Sequence, residues 1–343
     1  MMSDLLQQQP WLESKKKDLL FILLPAFIPL LLIIVFQDYF NSQTEVNIFW
    51  WIVLVMSIDV AHVYSTLFRF YWEKDTYKQH KSLLIVIPIA AFVIGCILHF
   101  IDGMLFWRVI AYVAVFHFVR QQYGFMRLYS RKEKFNRIAR FIDSLTIYSA
   151  TVYPLVYWHA NLTSNLHWFI EGDFIRISTE VARIAAYAYW IIIVVYLLKE
   201  IMIIRQSGHI NLPKNLLIIG TCLSWYLGII TFKGDLIFTL FNVIAHGIPY
   251  MALVYFFSSK KAAPATTLPW KSVFIFILTI LVLAYLEEGL WDGLVWKDHE
   301  AVFPFFNSLP AIESPLLLAV LVPLLALPQL THYVLDGFIW RRH

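Results

Sequence analysis

The segment SLLIVIPIAAFVIGCILHFI, residues 82–101, runs for 20 residues without an Asp, Glu, Lys or Arg. A helix of this length reaches across the roughly 30 Å hydrocarbon core of a bilayer, because an α-helix rises about 1.5 Å per residue. Similar apolar runs occur along the whole chain, at about 18–38, 46–71, 82–101, 104–127, 138–159, 181–204, 214–232, 235–257, 270–290 and 314–340. The sequence therefore predicts an all-α, multi-pass integral membrane protein, a helical bundle of about ten spans that forms one domain over residues 1–343.

The composition of the 343-residue chain agrees with this fold class. Hydrophobic residues make up 60% and charged residues only 15%, whereas soluble domains carry about 25% charged residues. The net charge of +4 comes from lysines and arginines near the ends of the spans, and not from a basic patch of the kind that binds nucleic acid. A soluble domain and a nucleic-acid-binding protein are thereby disfavoured.

The distribution of lysine and arginine predicts the orientation of the chain. Basic residues are concentrated before the first span, between the second and third spans, and between the fourth and fifth spans, where six lie from Arg127 to Arg140. The loops of the opposite side hold only Arg176, Lys233 and Lys297. Because cytoplasmic loops are enriched in lysine and arginine, we expect both termini to be cytoplasmic.

Four histidines lie within four different predicted spans: His62, His117, His246 and His332. These spans all run in the same direction in the predicted topology. Counting from the nearest cytoplasmic lysine or arginine places the four at depths of roughly 10–21 Å. Ionisable side chains inside a membrane are costly and mark functional sites, and imidazole is a common metal ligand. The pattern predicts one metal site shared by the four histidines.

Three aspartates accompany this layer as candidate catalytic carboxylates. Asp59 precedes His62 by three residues and Asp336 follows His332 by four, separations that place each pair on one helix face. A carboxylate in this position can bind the metal or orient the imidazole. Asp143, in the span 138–159, is expected at the shallow edge of the same layer.

Two polar residues beside His117 are candidates for substrate binding. Gln121 follows His117 by four residues and shares its helix face. Arg120, about one turn from His117, could neutralise one of the acids or hold an anionic head group.

Each of these residues also has a structural interpretation. A single histidine in a membrane helix is more often packed or hydrogen-bonded than a ligand, and buried carboxylates also carry protons or bridge helices. The acidic residues Glu287, Glu288 and Asp292 flank the outer end of the span 270–290 and are expected to form a solvated rim.

The donor set limits the metal. Imidazoles with carboxylates suit iron, zinc or copper, and with no thiolate in the predicted layer the first choice is non-haem iron. Iron with open coordination positions activates dioxygen. A site in the inner half of a bilayer would take a lipid or another apolar, isoprenoid-like substrate that enters between the helices.

Three short segments resemble histidine-bearing patches of known enzymes: Asp59-Val60-Ala61-His62, Phe116-His117-Phe118 and Tyr157-Trp158-His159. They are similar in style to bacterial carotene-cleaving membrane dioxygenases, within the wider group of histidine-rich integral-membrane iron enzymes that includes desaturases and hydroxylases. The HxxHH boxes of desaturases do not occur in this chain. The resemblance implies iron held by isolated histidines on separate helices and an oxygenase, hydroxylase or desaturase activity. The sequence has no soluble nucleotide-binding motif, so an external electron donor is expected as a partner.

Other functions remain open on the sequence alone. A membrane zinc hydrolase of lipids would use zinc-bound water, with Asp59 or Asp336 as general base. A haem-binding membrane protein would use two of the histidines as axial ligands. A proton- or metal-coupled transporter would use the same buried groups to carry ions.

Overall fold

The computed structural model describes residues 9–43, 45–133, 137–162, 168–232, 234–262 and 270–339. All regular secondary structure within these ranges is helical, which confirms the predicted fold class. In chain order the helices are α1 (Lys15–Ala26), α2 (Ile28–Val35), α3 (Gln37–Ser42), α4 (Ile48–Tyr71), α5 (Lys74–Ile101), α6 (Gly103–Tyr129), α7 (Arg137–Ala160), α8 (Thr179–Ser207), α9 (Leu212–Thr231), α10 (Asp235–Ala262), α11 (Trp270–Trp296), α12 (Pro315–Leu325) and α13 (Leu327–Ile339).

Fewer helices qualify as membrane spans than the ten predicted. Seven are long and apolar enough, namely α4, α5, α6, α8, α9, α10 and α11, and the bent pairs α1–α2 and α12–α13 raise the number to nine if each pair is one span. The predicted span 138–159 does form a helix, α7, but α7 is not among the seven. Its first two turns carry Arg137, Arg140 and Asp143, which shorten its apolar stretch. Within the described residues, the helices therefore support seven to nine spans.

Proline accounts for the two bent pairs. The axes of α1 and α2 differ by 56°, and those of α12 and α13 by 43°. Pro29 and Pro328 each occupy the second position of the later helix. Proline lacks an amide hydrogen, so it is tolerated in a first turn but cannot continue a helix that precedes it.

The described helices group into two compact units. Unit 1 comprises Met1–Glu45, Phe118–His167 and Phe174–Pro249, and unit 2 comprises Val46–His117, Trp168–Asp173 and Tyr250–His343. Helices α6 and α10 contribute residues to both. The prediction of a single domain stays a prediction.

Unit 1 is built around close contacts of α9 with its neighbours. A Cβ atom on Gly220 of α9 would lie 2.8 Å from the Cβ of Ala26, so a larger residue would not fit against the bend between α1 and α2. On α7 and α8, Tyr153 and Tyr189 pack with their ring centroids 4.8 Å apart. The ring centroid of Tyr153 also lies 6.4 Å from that of Tyr226 on α9, so α9 contacts both α1 and α7.

Unit 2 has a core in which α4 packs against α11 and the later part of α10. Its buried members are Val60, Ala61, Tyr250, Val254, Tyr255, Phe256, Phe276, Ile280 and Ala284. Helix α4 has an unusual winding: the turns from Trp51 to Val60 are wide, with i→i+5 hydrogen bonds, and those of Ala61–Thr66 are α-helical. Wide turns of this kind are rare in proteins, and those that occur are often found at functional sites. His62 lies directly after them.

Candidate metal centre

Three of the predicted ligands converge in the interior of unit 2. His62 on α4, His117 on α6 and His332 on α13 are 1%, 2% and 1% exposed. Each offers a ring nitrogen that lies within 4.8 Å of one from each of the others. The closest measured pair is Nε2 of His117 and Nε2 of His332, 3.1 Å apart. Three separate helices therefore bring three imidazoles to one point, as the common-depth pattern predicts.

The ring of His332 is the central member of the cluster. Its centroid lies 4.5 Å from that of His117 and 4.9 Å from that of His62, and its plane is steeply inclined to both. The rings of His62 and His117 are nearly parallel, with centroids 6.4 Å apart. The three nitrogens can thus approach a common centre from different directions.

An oxygen atom lies near the Nδ1 atom of each histidine. The Thr66 hydroxyl is 2.7 Å from Nδ1 of His332, and Asp336 Oδ2 is 3.4 Å from Nδ1 of His117. Asp59 Oδ1 is 3.7 Å from Nδ1 of His62, beyond hydrogen-bond length. An acceptor at Nδ1 fixes the tautomer that leaves Nε2 available to a metal, and in His117 and His332 the Nε2 atoms do face each other.

The partner of Asp336 differs from the one that the sequence suggested. Its position four residues after His332 predicts a pairing with that histidine, whereas in the structure its carboxylate faces His117 on α6. Asp336 is buried. It therefore lies at the predicted site, but its neighbour there is a histidine of another helix.

Tyr250 is a member of this site that the sequence interpretation missed. It is fully buried, and its ring is edge-on to those of His332 and His62, with centroid separations of 4.9 Å and 5.8 Å. Its hydroxyl lies 3.4 Å from the Thr66 hydroxyl. A signal existed in the sequence: Tyr250 follows His246 by four residues, on the same helix face.

His246 lies in unit 1 and is described there. It is buried, and its ring stacks on Phe118 with centroids 3.6 Å apart and planes 9° apart. Gln121 Nε2 donates to the backbone carbonyl of His246 at 2.9 Å. The role of His246 as a fourth ligand and that of Gln121 in substrate binding stay predictions.

Asp143 lies in a buried ion-pair network of unit 1. Its carboxylate pairs with Lys199 and, at 3.3 Å, with Lys214. Lys214 also contacts Glu133 at 2.9 Å and Glu200 at 3.1 Å. Both carboxylate oxygens of Asp143 are therefore paired with ammonium groups. The sequence predicted that Asp143 lies at the edge of the histidine layer, but it did not predict these lysine partners.

Arg120 also has protein partners within unit 1. Its guanidinium donates to the Tyr148 hydroxyl and lies 4.9 Å from the ring centroid of Tyr123. It is only half-buried. Its binding of an anionic head group stays a prediction.

The expectation of a solvated acidic rim is wrong for two of its three residues. Glu287 is 6% exposed, and it accepts hydrogen bonds from the Tyr64 hydroxyl at 2.6 Å and from Gln329 Nε2. Asp292 is also buried, and it accepts from the backbone N–H groups of Asp298 and His299 at 2.8 Å and 2.7 Å. The sequence signal for a buried polar site was the pair of adjacent acids, Glu287 and Glu288, at the end of an apolar run.

The fold and the cluster together define an all-helical protein with helices apolar enough to span a membrane and with buried histidines that could hold a metal ion. The chain matches no protein-family model, no curated protein and no solved structure.

Proposed function

We propose that this protein is a membrane-embedded, metal-dependent enzyme in which His62, His117 and His332 bind the metal. The observation that carries the proposal is the convergence of these buried imidazoles from three helices. With metal–nitrogen bonds of about 2.1 Å, ligands at 90–109° from each other are about 3.0–3.4 Å apart. The 3.1 Å between the Nε2 atoms of His117 and His332 agrees with this range.

The surroundings of the imidazoles support the same proposal. Histidines that bind metals usually donate their second N–H to a carboxylate, a carbonyl or another oxygen. Thr66 and Asp336 are placed to accept from His332 and His117 in this way. The same arrangement holds both rings in fixed orientations.

His246 is proposed as the fourth ligand on the basis of its position in the chain. It precedes Tyr250 by one helical turn on α10, so the two share a helix face. The ring of Tyr250 packs on His62 and His332. A fourth imidazole would leave open positions only if the metal accepts more than four ligands.

Iron is the proposed metal, because imidazole and carboxylate donors without thiolate suit iron, zinc or copper and iron binds further ligands readily. When bound, it would supply the activation of dioxygen for an oxygenase, hydroxylase or desaturase reaction. The buried ring of Tyr250 and the half-buried ring of Tyr333 beside the histidines would help to exclude water. The apolar helices favour a lipid or isoprenoid-like substrate, and an external donor would supply electrons.

A zinc hydrolase of lipids is the second candidate, and the position of Asp59 favours it. Its side chain is 35% exposed although it lies 3.7 Å from His62 Nδ1. A carboxylate this close to a proposed ligand could take a proton from an attacking water.

Haem is less compatible with the geometry of one of the three histidine pairs, His117 and His332. Two axial ligands on opposite sides of one iron are about 4 Å apart, twice a metal–nitrogen bond of about 2 Å. The 3.1 Å between His117 and His332 is shorter and leaves no space for a porphyrin between the rings.

Metal content and the visible spectrum of the protein purified in detergent test the proposal. We expect about one iron per chain without the intense absorption of haem, and loss of most metal in each of H62A, H117A, H246A and H332A. H80A is the matched control, since His80 lies near the start of α5; H299A is a weaker one because His299 stacks on Trp51. Unchanged metal content in all four variants would refute the shared site, and zinc in place of iron would favour the hydrolase.

A further inference from the structure

Glu287 is a buried carboxylate that receives hydrogen bonds from two other helices. It lies on α11. Its donors on other helices are the hydroxyl of Tyr64 on α4, at 2.6 Å from Oε2, and Nε2 of Gln329 on α13, which donates to Oε1. A carboxylate removed from water is costly unless its oxygens are hydrogen-bonded. The donors on α4 and α13 therefore help to stabilise Glu287 in this position, together with Trp291 of its own helix.

Both donors come from helices that carry histidines of the cluster. Tyr64 is two residues from His62, and Gln329 is three residues from His332, less than one helical turn in each case. The rings of these two histidines have their centroids 4.9 Å apart. The position of α4 relative to α13 at this level decides whether the two imidazoles can reach one ion.

Apolar packing alone would set this position less sharply. Ala61 and Val60 of α4 pack against Ala284 and Ile280 of α11, and such contacts are non-directional. Hydrogen bonds weaken steeply when their angles change, so the two bonds of Glu287 resist sliding and rotation of both helices.

We propose that Glu287 is a positioning residue of the metal centre, which holds His62 and His332 at the separation that a shared ion requires. This inference rests on the proposed function, since it needs a metal at the histidines. Glu287 acts through Tyr64 and Gln329 and does not itself bind the ion. The sequence assigned it to a solvated rim, and the structure gives it a role in the interior.

Two substitutions at this position separate the link between helices from the negative charge. The amide introduced by E287Q can accept from Gln329 and donate to the hydroxyl oxygen of Tyr64, so the link is retained and the charge is lost. E287L has a similar size and loses both. E288L is the matched control, because adjacent residues of a helix are rotated by about 100° and lie on different faces.

The measurement is a titration of the full-length, metal-free protein in detergent with Co²⁺, whose visible bands report both affinity and coordination geometry. We expect E287L to bind Co²⁺ about 10- to 100-fold more weakly, as is typical when a partner outside the ligand set is lost, with altered band intensities. E287Q and E288L should keep the affinity and the spectrum of the wild type. A structural defect elsewhere would not change the band intensities.

The outcomes distinguish this inference from the proposed function. If the wild type does not bind Co²⁺, both are overturned. If the wild type binds and H117A does not, but E287L binds like the wild type, only the role of Glu287 is overturned. Equal losses in E287Q and E287L also overturn it, because the charge and not the link would then be responsible. If E287L does not fold, Y64F and Q329L each remove one donor, and wild-type binding in both overturns the inference.

Discussion

Replacing Thr66 by valine tests whether His332 presents Nε2 to a metal. The Thr66 hydroxyl lies 2.7 Å from Nδ1 of His332, and both residues are buried. If Nε2 binds the metal, Nδ1 must carry a hydrogen and donate it to this hydroxyl. Valine has nearly the shape of threonine but lacks the oxygen. T66V therefore removes the acceptor with little change in packing.

The magnitude follows from the cost of a buried donor without an acceptor, which is about 1–3 kcal/mol. In the metal-free protein His332 can move its hydrogen to Nε2 and donate to His117 Nε2, 3.1 Å away. The cost therefore falls mainly on the metal-bound state. At about 1.4 kcal/mol for each factor of ten, T66V should weaken metal binding about 5- to 140-fold.

The assay is a titration of metal-free protein against a competing chelator, with T66S as the matched control that keeps the hydroxyl. We expect T66S to bind metal like the wild type. The melting temperatures of the metal-free variants show whether T66V has damaged the fold. Wild-type metal affinity in T66V would refute the reasoning, because Nδ1 of His332 would then not be the donating atom.

Two further predictions follow from other parts of the structure. D143N should lower the melting temperature, because it weakens a buried ion pair with Lys199 and Lys214 whose disruption costs about 3–5 kcal/mol. The metal content should stay unchanged. Loss of metal with an unchanged melting temperature would instead favour the catalytic role predicted for Asp143. Tags at either terminus and at Ser258 should be accessible from the cytoplasmic side of sealed vesicles, and a tag at Gly172 from the other side. Opposite labelling would contradict the predicted topology, and with it the inference that the four histidines lie at a similar depth.

The helical fold was predictable because apolar length is a local property of the sequence. The run 82–101 lies within α5, and comparable runs match most of the other long helices. The number of spans, about ten, stays a prediction: seven to nine of the described helices qualify, and the difference arises at particular segments. Helix α7 begins with charged residues, and prolines bend two of the predicted segments.

The convergence of the histidines was partly predictable, because depth along a helix can be counted from the sequence. His62, His117 and His332 do meet in unit 2. Partners on other helices could not be predicted, since they depend on how each helix is rotated about its axis. For this reason Asp336 faces His117 instead of His332, and the link from Glu287 to Tyr64 was missed.

The acids of the two buried polar clusters also have different partners, and this difference bears on the metal. In unit 1 the carboxylates of Asp143 and Glu200 pair with the ammonium groups of Lys199 and Lys214, so most of the buried negative charge is balanced by the protein itself.

Two buried acids of unit 2 lie beside imidazole, phenol and amide groups. Asp336 faces His117, and Glu287 accepts from Tyr64 and Gln329. Burying a carboxylate is costly unless it is paired or neutralised. A divalent cation held by the imidazoles would supply positive charge beside Asp336 and would keep the histidines neutral, as metal ligation requires. Iron and zinc would both supply this charge. Metal binding would then contribute to the stability of unit 2, and removal of the ion should destabilise the same helices that position the ligands.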